Sequence, residues 1–571
     1  MSLWAFDVPI FESPDEPHHW AYAQYIHTHY ALPPYDAAYL EGNQAPLYYI
    51  MISPFASHMD VPDSLAHLLP SGNLQLSCPP RFYKDCPGDA YRYGPIRRAR
   101  IFTILISLVG VIFTGLVAVE ISGSIWTGCV ASILIGALPQ FDFRAATVNN
   151  DAAAASFAAV AVYFILRMML RPYSSKIAIA AAVFVAFAFL SKVNAVVVLP
   201  LFVLGILLSK GEWSHRLRRL WLLLVSLAVA SPWIIHNLLR YRDLLGIAAM
   251  PSTVPMMEAK RPITDPYFRT VLPEVTWRSL IGYFGWMNIL SPQFVYTCYA
   301  VLFFCGVAGL LYFVVRHPKY RIVVALLILV PIQSAIVFVY FNLTFPQAQG
   351  RLLFPCLGAL AVLISLGLVS VLRTPRVVAI ALSILVIALN AYILERIIYP
   401  AYWKPIPSQL TADVAVPDTL MNGGPLGALL EGHQFTQSFV AEHSNLAAID
   451  LEVAGYTKHM KQGSLQLSLS DKLGGFPLAS KSISATSIPG CCIYAHLEFS
   501  PMQGSEGKRF FVSLSTKDIA LPEGITVFLS KGNVYDDGEA FLDGRPLEKD
   551  TSFRTFYAPA TFCGACSARS E

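Results

Sequence analysis

Charged residues are scarce in this sequence, and their scarcity excludes most soluble protein classes. Asp, Glu, Lys and Arg make up 14% of the 571 residues, whereas soluble domains carry about a quarter. No basic run or basic–aromatic stripe indicates nucleic-acid binding. The ten cysteines form no metal-type spacing, since the CGAC segment near the C-terminus lacks a second pair. Hydrophobic residues reach 55% and the mean hydropathy is +0.52, which predicts an integral membrane protein.

Long apolar runs fill the middle of the chain. A membrane helix needs about 20 apolar residues, and this region offers about ten such runs. The predicted fold class is therefore a polytopic α-helical membrane bundle. The candidate spans are roughly residues 101–119, 122–141, 152–168, 175–191, 193–209, 219–236, 293–315, 321–341, 352–372 and 377–398.

Basic residues between these spans predict the orientation of the bundle. Four breaks are rich in Lys and Arg and alternate with poorly basic ones, which is the pattern of cytoplasmic loops. The other breaks, residues 1–99 and everything after about Pro400 then lie outside the cell (cytoplasmic or inner) membrane. The basic breaks contain Arg167, Arg171 and Lys176; Lys210, Arg216, Arg218 and Arg219; Arg316, Lys319 and Arg321; and Arg373 and Arg376.

The start of the chain is unusual for such a topology. It begins in an outside loop, and MSLWAFDVPIF is too short and lacks the basic region of a signal peptide. We expect that a first helix is missing from this version of the sequence. The alternative is that the N-terminal segment is translocated without one.

The sequence changes character after the last span. SLQLSLS, RFFVSLS and ITVFLS alternate apolar and polar residues between Gly, Pro and Asp breaks, as short β-strands do. These segments predict an all-β sandwich that either recognises a ligand or packs against the outer loops. The predicted domains are residues 1–99 (extracytoplasmic first loop with an acidic motif), 100–400 (transmembrane bundle), 401–424 (linker), 425–560 (extracytoplasmic β-sandwich) and 561–571 (tail).

An acidic and histidine-rich motif, SPDEPHHW, stands near the start of the first outer loop. A carboxylate of Asp15 or Glu16 suits the removal of a proton from an acceptor hydroxyl. The alternative is a solvated turn that caps the next helix, which the flanking prolines favour. His18 and His19 could hold a divalent cation with the acids, but no helical His spacing supports a metal site.

Three further charged residues interrupt apolar sequence on the outer side. Asp151 begins a span in VNNDAAAASF, and helix capping is its alternative role. Lys192 and Arg351 lie where the positive-inside bias disfavours basic residues, so an anionic phosphate is a natural ligand. Snorkelling to lipid headgroups is the alternative for both. The same headgroup contact is the preferred interpretation for Arg97, Arg98 and Arg100.

Aromatic residues in two outer segments complete the candidate site. Tyr48 lies in QAPLYYI and Trp286 in TWRSLIGYFGWMN. They belong either to an interfacial aromatic belt or to a surface that stacks on a sugar. The substrate-binding candidates are Asp151, His18, Tyr48 and Trp286.

Taken together, these segments resemble the GT-C membrane glycosyltransferases, a group that includes protein O-mannosyltransferases and aminoarabinose transferases. SPDEPHHWAYAQYI, LPP and EGNQAPLYYI look like the first outer loop of that group. VNNDA, SKVNAVVVLP, SPWIIHN, WRSLIGYFGWMN and GRLLFP follow in the order seen in bacterial members, so the resemblance covers about residues 10–400. IDLEV, LEFSPMQGSEGKRFFVSL and FLDGRPLEKDTSFRTFY look like the galactose-binding-type β-sandwich of some members.

The resemblance implies transfer of a sugar from a polyprenyl-phosphate donor to a glycan, lipid or protein hydroxyl at the outer membrane face, usually with inversion. It places the base on Asp15 with Glu16 beside it, and it matches Asp151 to a second acidic position. Lys192 and Arg351 become contacts of the donor phosphate. Membrane lipids are the other expected partners, no cofactor is firmly predicted, and a divalent cation stays open.

Two other functions are compatible with the sequence. A transporter or flippase of a lipid-linked saccharide would place ionisable groups near the bilayer midplane, whereas the span centres here carry few charges. A non-catalytic envelope protein would bind glycans through its sandwich. Release of polyprenyl phosphate distinguishes the enzyme from both.

Overall fold

The computed structural model describes most of the chain as two compact units, one within residues 1–403 and one within 404–571. Each unit is described by itself. The described residues are 2–8, 10–11, 13–35, 39–57, 94–246, 261–285, 287, 289–372, 374–399, 411–416, 421, 423–455, 460, 462–488, 493–520 and 523–557.

The first unit is helical, because its apolar runs can satisfy their backbone hydrogen bonds only within each segment when lipid surrounds them. Among the described residues, three short helices precede the bundle, and a two-stranded ribbon of β1 (Tyr283–Phe284) and β2 (Ile289–Leu290) interrupts it. The helices are α1 (Ser2–Asp7), α2 (Glu16–His29), α3 (Leu47–Ile52), α4 (Gly94–Ser122), α5 (Ile125–Gly136), α6 (Pro139–Ala145), α7 (Asp151–Leu170), α8 (Ser175–Ser191), α9 (Val198–Leu207), α10 (Trp213–Arg218), α11 (Leu222–Tyr241), α12 (Val271–Ile281), α13 (Gln293–Arg316), α14 (Arg321–Asn342), α15 (Leu357–Leu372) and α16 (Pro375–Ile393).

In the described part of the chain, fewer helices are long and apolar enough to cross a bilayer than the ten spans that the sequence predicts. Seven in the described part are long and apolar enough, or eight if α5 and α6, which meet at 69°, form one broken span. The break falls at Pro139, whose ring lacks the N–H that would continue α5. Helix α8 and the segment Val193–Leu207 are apolar but short, and the latter begins as a 3-10 turn at Val193–Val197. The fold is nevertheless that of a multi-pass membrane protein.

Small residues bring the membrane helices into close contact. Helices α13 and α15 cross at Gly306, Gly309 and Gly367, where a Cβ on Gly367 would overlap the carbonyl oxygen of Gly306. Such close backbone approach is how membrane helices gain packing energy when lipid already surrounds their apolar faces.

The second unit is built from β-strands, as its alternating sequence predicts. Its six-stranded sheet has the order β14-β13-β5-β10-β7-β8, and its five-stranded sheet joins β11, β6, β15 and β3, with β9 also paired to β6. Phe439 of the first sheet packs on Phe553 of the second with ring centroids 5.5 Å apart, so the inner faces form a sandwich. The strands are β3 (Thr411–Val416), β4 (Gly424–Pro425), β5 (Gln434–Val440), β6 (Leu446–Gly455), β7 (Ser464–Ser470), β8 (Ala479–Ser484), β9 (Ile493–Met502), β10 (Arg509–Lys517), β11 (Ile525–Thr526), β12 (Phe528–Leu529), β13 (Ala540–Leu542), β14 (Arg545–Pro546) and β15 (Phe553–Tyr557).

Strand β3 differs from the sequence prediction, which assigns residues 401–424 to a linker. Its residues pair antiparallel with β15, from Thr411 opposite Tyr557 to Val416 opposite Phe553. TADVAV is short, so the pattern alone does not reveal a strand whose partner lies at the far end of the domain. The predicted tail at 561–571 lies outside the described residues.

Candidate active site

Asp15 occupies a strained turn that directs its carboxylate away from the following helix. Its φ of 64° lies in the left-handed region, which Asp tolerates better than most residues. It stands at the N-cap position of α2, yet its side chain makes no capping hydrogen bond. Instead the Nη2 of Arg351 donates to its Oδ2 at 2.5 Å. The capping role considered from the sequence is therefore not the one that this side chain performs.

Asp151 is the centre of a buried cluster of cations. The Arg144 guanidinium lies 2.9 Å and the Lys192 ammonium 2.5 Å from its carboxylate oxygens, and Arg351 lies 3.7 Å away. The Asp151 side chain is completely inaccessible to solvent. Asn149 performs the capping instead, since its Oδ1 accepts the backbone N–H groups of residues 151 and 152. Asp151 thus holds three cations in place.

The cluster comes together at one end of the bundle. Asp151 is the first residue of α7, Lys192 directly follows α8, and Arg351 follows α14 in a 3-10 turn. The basic Arg167 and Arg171 lie at the opposite end of α7, where they pair with Glu120. The structure therefore brings together Asp15, Asp151, Lys192 and Arg351, and their position on the outer side of the membrane stays a prediction.

The charges within this cluster do not cancel. Arg144, Lys192 and Arg351 supply three positive charges, and Asp15 and Asp151 supply two negative ones. Burial opposes the ionisation of Asp15, but the charges of Arg351 and Arg144 outweigh it and hold the pKa of its carboxyl below the usual range. Since a buried excess charge is unfavourable without a counter-ion, the cluster favours an anionic ligand.

Glu41 and His19 lie on another side of Asp15. One carboxylate oxygen of Asp15, one of Glu41 and a ring nitrogen of His19 all lie within 4.8 Å of one another. Burial, reinforced by the charge of Asp15, raises the pKa of Glu41 to about 8. Burial also lowers the pKa of His19 well below its usual value. Of the three groups only Glu41 has a pKa near neutral pH, and the donor set of the trio also suits a divalent cation.

Glu16, the second acid of the motif, lies in a different environment. Its two oxygens accept from the Nε and Nη2 of Arg100 at 2.8 and 2.7 Å, and also from the backbone N–H groups of Phe11 and Val148. It is fully buried. Four donors saturate this carboxylate, so it has no position left for substrate, and the structure gives it a packing role in place of the predicted catalytic one. Arg100 is likewise buried, which corrects its assignment to lipid headgroups.

The aromatic and histidine candidates have different outcomes. Tyr48 is fully buried, and its hydroxyl bonds to Thr103 at 2.7 Å and accepts the Asn149 N–H at 3.0 Å. It therefore supports the loop before α7 and cannot touch substrate as predicted. His18 is 6% exposed, and its Nδ1 has no hydrogen-bond partner among the described residues. Trp286 lies outside the described residues.

The sequence interpretation does not include two residues of the site, Arg144 and Glu41. Arg144 stands in FDFRAATVNND, seven residues before Asp151, and a charge in an apolar outer segment was the available signal. Besides Asp151 it binds the Ser13 hydroxyl at 2.7 Å and the Pro14 carbonyl at 2.9 Å. Glu41 lies in the EGNQAP segment that carries the family resemblance, but its approach to Asp15 is a long-range contact.

Solved structures with similarity to this chain are membrane glycosyltransferases with low identity. ArnT from Cupriavidus metallidurans bound to undecaprenyl phosphate has 12% identity and a TM-score of 0.39, over 70% of this chain and 72% of that one. The Archaeoglobus fulgidus oligosaccharyltransferase in complex with Zn and sulfate has 15% identity and a TM-score of 0.36, over 67% of this chain and 48% of that one. Arabinosyltransferase EmbB from Mycobacterium smegmatis has 13% identity and a TM-score of 0.33, over 96% of this chain and 64% of that one. Likenesses this low establish neither an activity nor a substrate for this chain.

Sequence comparison gives the more specific finding. No curated protein matches the chain significantly. Residues 94–236, which include Arg144, Asp151 and Lys192, match the model of the family described as "Dolichyl-phosphate-mannose-protein mannosyltransferase". This match confirms the resemblance predicted from the motifs: over residues 94–236 the chain carries the sequence pattern of a family of GT-C membrane glycosyltransferases.

Proposed function

We propose that this protein transfers a sugar from a polyprenyl-phosphate donor to an acceptor hydroxyl at the extracytoplasmic face of the membrane. One observation carries the proposal: an ionised carboxylate, Asp15, is hydrogen-bonded to a cation of a cluster that has one excess positive charge. A base next to a site for an anionic leaving group is what transfer from a phosphodiester requires.

The leaving group determines the role of the cations. As the bond between the anomeric carbon and the phosphate oxygen breaks, negative charge accumulates on the polyprenyl phosphate. Lys192 and Arg351, whose side chains are 13% and 11% exposed, are the accessible cations of the cluster. They stabilise the departing phosphate, an electrostatic contribution that typically amounts to about 2.7–4 kcal/mol for each donor. The ArnT neighbour was solved with undecaprenyl phosphate bound, which agrees with such a donor.

Asp15 acts on the acceptor. Its carboxylate takes the proton of the acceptor hydroxyl while that oxygen forms a bond to the anomeric carbon from the side opposite the phosphate. Attack from that side inverts the anomeric configuration. Asp151 and Arg144 are positioning residues, because both are buried and contact other residues of the cluster. A divalent cation bound by Asp15, His19 and Glu41 would add positive charge for the leaving phosphate.

The proposals for the acceptor and for the membrane face at which transfer occurs rest on the sequence alone. The basic breaks between spans predict that the cluster end of the bundle faces outward. A glycan, a lipid or a protein could supply the hydroxyl, and membrane lipids surround the bundle. The β-sandwich serves recognition or positioning in this proposal.

The replacement Asp15→Asn tests the base. The purified full chain is incubated with radiolabelled polyprenyl-phosphate sugars from the host membranes and with an envelope fraction as acceptor, and released polyprenyl phosphate is measured. Asn keeps the shape but cannot take the proton, so the rate should fall at least about 100-fold. Asp543→Asn, at an exposed position in the second unit, is the matched control and should retain the rate.

Near-normal release by the folded Asp15→Asn protein would remove Asp15 from this role. No release by the wild-type protein, with the donor unchanged, would overturn the proposed activity as a whole.

A further inference from the structure

The loop between β7 and β8, residues 471–478, leaves a group of apolar side chains on the surface of the second unit. Leu473, Phe476 and Leu478 are 41%, 94% and 51% exposed. Exposed apolar side chains that stand together mark a contact with another molecule or with lipid. These three side chains are called the apolar tip below.

Backbone hydrogen bonds hold the apolar tip in a defined conformation. The N–H of Gly475 donates to the Lys472 carbonyl at 2.9 Å. The N–H of Leu478 donates to the Leu469 carbonyl at 2.7 Å and closes the loop. Gly474 has a φ of 69°, a left-handed conformation that glycine adopts without strain. The exposure of the tip is therefore a property of an ordered turn.

Strand register defines the end of the sandwich at which its first strand begins. Thr411 is the first residue of β3, and it lies opposite Tyr557 of β15. Tyr557 in turn lies opposite Leu446 of β6, which lies opposite Met502 of β9. These four residues mark what we call the entry end of the five-stranded sheet.

The apolar tip lies at this same end of the domain. Residues 441–445 connect β5 to the start of β6, and residues 503–508 connect the end of β9 to β10. Both connections therefore lie at the entry end and bring the six-stranded sheet to it. Strand β7 runs antiparallel to β10, with Ser470 opposite Phe511 near the start of β10. The loop 471–478, which follows Ser470, thus stands at the entry end as well.

The entry end is where the sandwich is attached to a membrane-spanning segment. The last candidate span, Pro375–Ile398, precedes β3 in the chain. Residues 399–410 separate the two, and a chain of this length extends at most about 45 Å. The bilayer is therefore an apolar phase within reach of this end of the domain.

The charges around the apolar tip suit an anionic lipid surface. In the segment KLGGFPLASK, Lys472 and Lys481 flank the apolar residues and no carboxylate stands between them. Arg509, the first residue of β10, lies at the same end, whereas Asp471 is the acidic residue of the loop. Phe and Leu side chains next to basic residues are the pattern of segments that insert at a membrane interface.

We propose that the apolar tip inserts into the adjacent leaflet of the membrane and that Lys472 contacts anionic lipid headgroups there. The sandwich then has two attachments to the bilayer, its covalent connection to the last span and this loop. A docking site for another protein is the competing explanation, but it does not require the tip to lie at the tethered end of the domain. The inference is independent of the proposed transfer reaction.

Photo-cross-linking of the full chain in lipid nanodiscs tests the insertion. The photoreactive amino acid p-benzoylphenylalanine replaces Phe476, and the nanodiscs contain phosphatidylethanolamine and phosphatidylglycerol. Irradiation should attach a phospholipid to the loop, which mass spectrometry of the digested chain identifies. Ser487 is the matched control, because it is exposed in the turn after β8, at the opposite end of that strand. The same amino acid at Ser487 should give no lipid product.

Lys472→Gln in the chain with the photoreactive residue at position 476 tests the headgroup contact. The yield of the lipid product should fall about two- to fivefold, since one basic residue near an anionic surface contributes up to about a factor of five to binding. Lys517→Gln is the control, because Lys517 is exposed at the opposite end of the same sheet, and it should retain the yield. An unchanged yield with Lys472→Gln would overturn the headgroup contact.

The identity of the product at position 476 decides between the occupants of the apolar tip. A cross-link to residues 1–403 of the same chain would show that the loop packs on the helical unit. A cross-link to a second copy or to another protein would show a protein-docking surface. The absence of any product, or equal lipid products at positions 476 and 487, would show that the loop has no specific contact with lipid. Each of these results overturns the insertion.

Discussion

Asp15 and Glu16 are neighbours in sequence with the same functional group, and their surroundings give them different chemistry. The Asp15 side chain is 26% exposed and has Arg351 as its ion-pair partner. Glu16 is fully buried, with four donors on its two oxygens. A carboxylate that must receive a substrate proton needs a free approach, which Asp15 has and Glu16 lacks. The sequence shows two adjacent acidic residues, but it cannot show which of the two carboxylates a substrate can approach.

Glu41 gives the site a pH dependence whose sign follows from its pKa. The pKa is raised from an ordinary 4.5 to about 8, chiefly by burial and then by Asp15. The folded protein therefore binds this proton more tightly than the unfolded chain, and the free energy of unfolding falls as pH rises between these two values. The Gln of the Glu41→Gln variant is always neutral. The melting temperature of this variant should equal that of wild type near pH 5 and should be higher than that of wild type near about pH 9.

Thermal melting of both purified proteins across this pH range measures the effect. Taking the difference between the two curves cancels the titration of other groups. Glu274→Gln is the control, since Glu274 forms an exposed ion pair with Arg278, and its curve should follow that of wild type. Parallel curves for wild type and Glu41→Gln would show that Glu41 is already ionised at neutral pH.

At the scale of the elements, one ion pair fastens the first loop to the bundle. Glu16 begins α2 and Arg100 lies in the first turns of α4, and both are buried. The same carboxylate accepts the N–H of Val148, in the loop before α7. Helix α2, helix α4 and the loop before α7 are therefore held together at the site by a single side chain.

Glu16→Gln should destabilise the protein strongly. It leaves the Arg100 guanidinium buried without a counter-charge, and breaking a buried pair in this way costs about 3–5 kcal/mol. Glu274→Gln removes an exposed pair, where the cost is about 0–1 kcal/mol. Melting in detergent compares the two variants. A Glu16→Gln protein that melts like wild type yet fails to transfer sugar would restore the catalytic role that the sequence predicts.

The elements themselves were largely predictable, because hydrophobic length and alternation dominate their formation. The span predicted at 152–168 corresponds to α7, and that at 293–315 to α13. The sequence predicts neither the break at Pro139 nor the 3-10 turn at Val193–Val197, since both lie inside stretches that hydropathy assigns to the spans 122–141 and 193–209. The sequence does not reveal strand β3, because pairing with β15, not its own short pattern, defines it.

At the scale of the whole molecule, the site consists of residues that are far apart in sequence. Asp15 and Arg351 are 336 positions apart, whereas Asp151 and Lys192 are separated by 41. Counting basic residues in the breaks was enough to predict that these four side chains share one side of the membrane. It could not show which charges pair, nor that Arg144 and Glu41 join them, because pairing depends on three-dimensional packing that a single sequence does not record.

The fate of a labelled donor in sealed vesicles tests the central claim most directly. Vesicles containing the full chain receive a polyprenyl-phosphate sugar labelled in the sugar, together with an envelope fraction as acceptor. The account predicts that the label leaves the lipid and that one polyprenyl phosphate accumulates for each sugar transferred. A label that stays on its lipid and only changes leaflet would identify a transporter, and would contradict the account.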